Sequence, residues 1–169
     1  MKITALFIVI AIVITSLMSL GKSTETKNIN EKSFKVRDTI TESVDSSLLT
    51  KELLVSYLLH KKIHHPEVAY AIIRQESNMC SNLFKTNNNL FGMRHPRVRP
   101  NKSLGDKKGF AHFEKWQHSV DDYKLYLEFV QGHQMTREQY LSHLDRNYAH
   151  AGYSEYLEKY FKEYQELID

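Results

Sequence analysis

The sequence predicts a mostly α domain of the α+β class, carrying a small β-hairpin lobe and preceded by an N-terminal signal or anchor and a polar linker. Three observations predict it. Apolar residues recur at helical spacing in several stretches between Leu49 and Ile168. A segment punctuated by glycine and proline, without helical period, interrupts them between Phe84 and Phe113, and residues 1–47 carry neither pattern. The 169 residues are 41% hydrophobic and 25% charged, enough for one modest core and too apolar for a disordered chain.

The chain opens with Lys2 and then runs from Ile3 to Leu20 without a charge. That length exceeds a usual signal h-region and just suffices to span hydrocarbon, while Ser19 and Gly21 offer small residues at the −3 and −1 positions of a cleavage site. Two readings stand, a cleaved signal peptide or a membrane tether through residues 3–20, and both export the rest of the chain. Residues 22–47 are rich in Ser, Thr, Asn and charge. They read as a flexible linker with a reach of about 28 Å. The expected organisation is therefore 1–21 leader or anchor, 22–47 linker and 48–169 folded domain.

Leu49, Leu53, Leu54, Tyr57 and Leu58 share one face of a helix that runs to about Lys62. A second helix is expected from Pro66, with Glu67 at the positive end of its dipole, to about Ser77. Gly92, Pro96, Pro100, Gly105 and Gly109 then predict loops and an irregular hairpin near 95–113. Trp116, Val120, Tyr123, Leu127 and Val130 restore a helical stripe. Thr136 and Gln139 form a capping box ahead of Tyr140, Leu141 and Leu144. The last helix is expected from Ser154, turning Leu157, Tyr160, Phe161, Tyr164 and Ile168 inward.

One cysteine, Cys80, excludes an intramolecular disulfide framework and a cysteine-rich metal site. A formal net charge of +3 is too small to announce a polyanion partner. His60 and His64 have the spacing of a metal pair, but no HExxH accompanies them, and solvated histidines at a lysine-rich helix end explain them better. No metal and no cofactor is expected.

On the second helix Val68, Ile72 and Glu76 fall at i, i+4 and i+8, with Ala69 and Ile73 alongside. A carboxyl on an apolar face is partly withdrawn from water, which favours its neutral, proton-donating form. Equally, the stripe can simply emerge into water at a helix end. The asparagine-rich run leading to Asn89, Leu90, Phe91 and Gly92 has amides and rings able to line a groove for a neutral, hydroxyl-rich chain. The same residues also serve as left-handed turn positions and core plugs. Arg94, Arg97, Arg99, Lys102, Lys107 and Lys108 surround a single acid, Asp106. They can steer an anionic polymer or form a solvated loop, and the absence of interleaved aromatic residues argues against nucleic acid. Between the last two helices, Tyr148 and Tyr153 can orient a ligand or lock a helix corner.

In order, Arg74-Gln-Glu-Ser77, Asn88-Asn-Leu-Phe-Gly-Met93, Phe113-Glu-Lys-Trp116 running into Ser119-Val-Asp-Asp-Tyr123, and Tyr148-Ala149 with Tyr153 resemble the bacterial cell-wall glucosaminidase family, over about residues 50–168. The resemblance implies a lysozyme-like helical domain cutting the β-1,4 bond after N-acetylglucosamine in peptidoglycan. It is expected to work as a monomer in the cell envelope or outside the cell. It also implies Glu76 as general acid, Tyr148 as active-site tyrosine, and Asn89, Leu90, Phe91 and Gly92 as the groove floor, with Tyr153 alongside the substrate. Several members carry a second carboxylate on the β lobe, where this chain offers only Asp106; the favoured route is therefore Glu76 as acid with the sugar's own acetamido group as neighbour and Tyr148 assisting, and the second is an inverting route through water held by Asp106. The related alternatives are a lytic transglycosylase and a non-catalytic peptidoglycan-binding module.

Overall fold

Six consecutive residues, Val68 to Ile73, are buried in the helix Pro66–Glu76, which makes it the axis of the core. A helix that is apolar all round belongs inside a protein, so the one-sided stripe described only part of it. The structure, a computed structural model, describes residues 48–169. The expected leader 1–21 and linker 22–47 lie outside the described residues. Within them the order is α1 (Lys51–His60), α2 (Pro66–Glu76), α3 (Asn82–Asn87), β1 (Gly105–Lys107), β2 (Phe110–His112), α4 (Trp116–Phe129), α5 (Arg137–Asn147) and α6 (Tyr153–Ile168).

Each helix start has a local cause. Thr50 caps α1 by accepting a hydrogen bond from the Leu53 N–H at 3.2 Å, and Pro66 opens α2 where an N–H would have no helical partner. The capping box of α5 is present in full, with Thr136 Oγ1 accepting from Gln139 N and Gln139 Oε1 from Thr136 N. Such a cap stabilises a helix by about 1 kcal/mol. Helix α6 packs along α2, and α1 flanks both. It buries Tyr153, Leu157 and Tyr164, whereas Ile168, expected inside, is 45% exposed where the stripe runs out at the chain end.

The hairpin is shorter than the 95–113 expected. Strands β1 and β2 pair antiparallel with Asp106 opposite Ala111, and residues 94–104 form an irregular loop. Lys108 and Gly109 turn the hairpin with φ of 59° and 83°, the backbone of a two-residue turn whose twist matches the strands. Asparagine amides fasten this lobe to the helices. Asn87 Nδ2 donates to the Lys107 carbonyl at 3.0 Å, and Asn89 Nδ2 donates to the Met93 and Ala111 carbonyls at 2.8 and 3.0 Å. Among the described residues no helix is long and apolar enough to cross a membrane, and the apolar stretch 3–20 lies outside them.

Candidate active site

Helix α2 stops at Glu76 because Asn78 and Met79 adopt left-handed backbone, φ 45° and 55°. Ser77 Oγ turns back to donate to the Ile73 carbonyl at 3.0 Å. The stripe therefore emerges at the helix end, and Glu76 is exposed, in place of the withdrawal from water that its spacing suggested. Its carboxylate is nevertheless held in place. Tyr153 Oη donates to Glu76 Oε1 at 2.7 Å, and the backbone of Gly92 lies against Oε2.

Gly92 is required twice over at that contact. Its φ of 66° disfavours a side chain, and a Cβ added there would stand 2.9 Å from Glu76 Oε2. Beyond it opens a cleft of about 310 Å³ whose lining includes Glu76, Gly92, Arg94, Arg99, Tyr126 and Tyr148. Among the described residues that line this cleft, Glu76 is the one carboxylate.

The residues singled out from sequence divide by position. Phe91 and Gly92 line the cleft, and Phe91 stacks on Tyr123 with ring centroids 4.0 Å apart. Asn89 and Leu90 are fully buried and do not line it, because the Asn89 amide is consumed in tying the loop to β2. They support the floor from below. Tyr148 is half-buried on the cleft wall, its hydroxyl donating to the Phe91 carbonyl at 2.6 Å. Tyr153, expected beside the substrate, is only 2% exposed and sits behind Glu76. Asp106 is exposed on β1 and absent from the cleft lining. Its Oδ1 accepts from the Gly109 N–H at 3.0 Å, so its work is in the hairpin turn.

A corner brings the two tyrosines to Glu76 and its floor. Asp145 near the end of α5 accepts from Ser154 N at 2.7 Å and from Ser154 Oγ at 2.8 Å. Gly152, at φ 76°, lets the chain reverse into α6. Burial pushes both phenols well above the usual tyrosine range, and the Glu76 charge adds to the effect. Both therefore remain hydrogen-bond donors at any working pH.

Sequence reasoning missed the part of the cleft built by Arg99 and Tyr126. Arg99, read as part of a basic run that either steers an anionic polymer or forms a solvated loop, has a side chain 6% exposed and pairs at 2.8 Å with Asp122, whose side chain is fully buried. Asp122 also accepts from the Lys102 N–H at 2.7 Å, so its charge is met from the arginine and from the loop backbone. The Arg99 guanidinium lies 5.8 Å from the centroid of the Tyr126 ring. Burial raises the Tyr126 phenol to about 12 despite that cation. The available signal was Asp122 itself: Ser119, Asp122 and Tyr126 fall at i, i+3 and i+7, on a buried flank of α4.

An open cleft holding one carboxylate at the end of a core helix, with aromatic and arginine side chains in its lining, is the kind of concave site in which a ligand is bound and a proton can be supplied. The chain belongs to the glucosaminidase family, described as mannosyl-glycoprotein endo-beta-N-acetylglucosaminidase, which matches residues 51–168. That is a family of peptidoglycan glycosidases. Neither a curated protein nor a solved structure matches the chain.

Proposed function

We propose that residues 48–169 form a lysozyme-like catalytic domain that hydrolyses the β-1,4 bond after N-acetylglucosamine in peptidoglycan, outside the cytoplasm, behind the leader and linker read in 1–47. The observation that carries the reading is the disposition of Glu76. With Oε1 already accepting from Tyr153, Oε2 is the oxygen left to hold and deliver a proton. In the reaction Glu76 gives that proton to the leaving glycosidic oxygen as the C1–O bond breaks. The acetamido oxygen of the same sugar closes onto C1 and meets the developing positive charge. Water then opens this ring at C1 while the Glu76 carboxylate takes its proton back.

Substrate assistance is favoured because the cleft lining supplies no second carboxylate among the described residues and Asp106 is engaged in the hairpin turn. Tyr148 positions the floor through the Phe91 carbonyl rather than titrating. Glu76→Gln keeps the shape and loses the proton. Its kcat on peptidoglycan should fall by roughly 10²–10⁴, the usual contribution of a general acid, with glycan binding retained. An unaltered rate would remove Glu76 from the mechanism.

A further inference from the structure

The cleft that holds Glu76 also carries two arginines, which glycosidic cleavage does not itself require. Arg94 and Arg99 both line it. Arg99 is neutralised and immobilised by Asp122, with Nη1 also donating to the Pro100 carbonyl at 2.8 Å. Arg94 is exposed and has no ion pair or side-chain hydrogen bond among the described residues. The single acid of the lobe, Asp106, faces the hairpin turn and is absent from the cleft lining, so among the described residues no lobe carboxylate stands beside Arg94 there. Among the described residues Arg94 is therefore the cation in the cleft lining left free to meet a charge on the ligand.

We propose that Arg94 is a specificity residue that recognises the free lactyl carboxylate of a strand stripped of its stem peptides, so that the cleft selects such acidic strands over neutral amino-sugar chains. This rests on reading the cleft as a glycan site. A guanidinium offers a planar fork of donors matched to a carboxylate, and the ordered Arg99 beside it keeps that wall in one arrangement. A neutral strand offers Arg94 only uncharged acceptors, whose hydrogen bonds to it are weaker than a carboxylate's.

The test uses the full chain with Glu76→Gln, whose side chain has the charge of the protonated acid and leaves the strand uncut. Two ligands are titrated by calorimetry: a β-1,4 strand of N-acetylglucosamine alternating with its lactyl ether, stem peptides removed, and the same strand with its carboxyls reduced to alcohols. The acidic strand should bind about tenfold more tightly, the scale of one charge-assisted contact. Adding Arg94→Gln should bring the ratio close to one, Arg97→Gln should keep it, and about 0.5 M salt should shrink it. Equal affinity for the two strands, a ratio indifferent to Arg94→Gln, or no binding of either strand would overturn the proposal. Failure of the hydrolase reading shows separately, as absence of cleavage of either strand by the unsubstituted chain, while the binding ratio is still read.

Discussion

Glu76 and its two neighbours illustrate what a single side chain owes to the fold. Tyr153 is the buried member, and its hydroxyl fixes one carboxylate oxygen. Tyr153→Phe removes that donor and nothing else of the ring. The expected result is a roughly tenfold lower kcat with KM little changed, and a loss of stability of about 1 kcal/mol, since one hydrogen bond is lost and the carboxylate stays open to water. Steady-state kinetics and denaturant unfolding read the two effects apart, and a change in KM alone would assign Tyr153 to substrate contact. The sequence placed Glu76 at the end of an apolar stripe, which is where it lies, but spacing held no information on whether that end faced core or solvent. Tyr153 was visible as a residue and not as a partner, because 77 positions separate it from Glu76.

Secondary elements were legible in proportion to their length and caps. The helix at Pro66, the stripe from Trp116 and the capping box at Thr136 carried signals strong enough to set type and start. Helix α3, six residues long, is too short to show a period, and Ser81 capping it through the Phe84 N–H at 3.1 Å was the available hint. The loop 94–104 was unreadable for another reason. Its order comes from Asp122 on α4, a tertiary partner for Arg99 and for the Lys102 N–H. Asp122→Ala leaves Arg99 buried without its counter-charge, so we expect a stability loss of about 3–5 kcal/mol with the β-lobe side of the cleft disordered. Calorimetric melting with hydrogen exchange on residues 94–104 checks this, and unchanged protection there would show that the pair is not what orders the loop.

At the scale of the described domain, α2 enclosed by α1 and α6 supplies the rigid core, and the asparagine-fastened β lobe supplies the other side of the cleft. The same packing shapes the response to pH. Burial, helped by Arg146, holds the His143 imidazole below its ordinary 6.5, with Tyr126 Oη 3.1 Å from its Nε2 and Tyr140 stacked beside it. The folded domain thus binds fewer protons at this site than the unfolded chain. Its contribution is complete above about pH 6.5 and is lost as pH falls through the lower folded value. Melting temperatures measured from pH 7.5 to 5 should therefore fall less steeply for His143→Gln than for the unsubstituted chain, and parallel curves would refute the assignment.

The central claim is that this cleft hydrolyses glycan with Glu76 as its acid. Mass spectrometry of the new chain ends in digested peptidoglycan tests it most directly. Hydrolysis through Glu76 predicts reducing N-acetylglucosamine ends that disappear with Glu76→Gln. Anhydro ends would place the domain among transglycosylases, and intact strands after exposure to folded protein would contradict catalysis altogether.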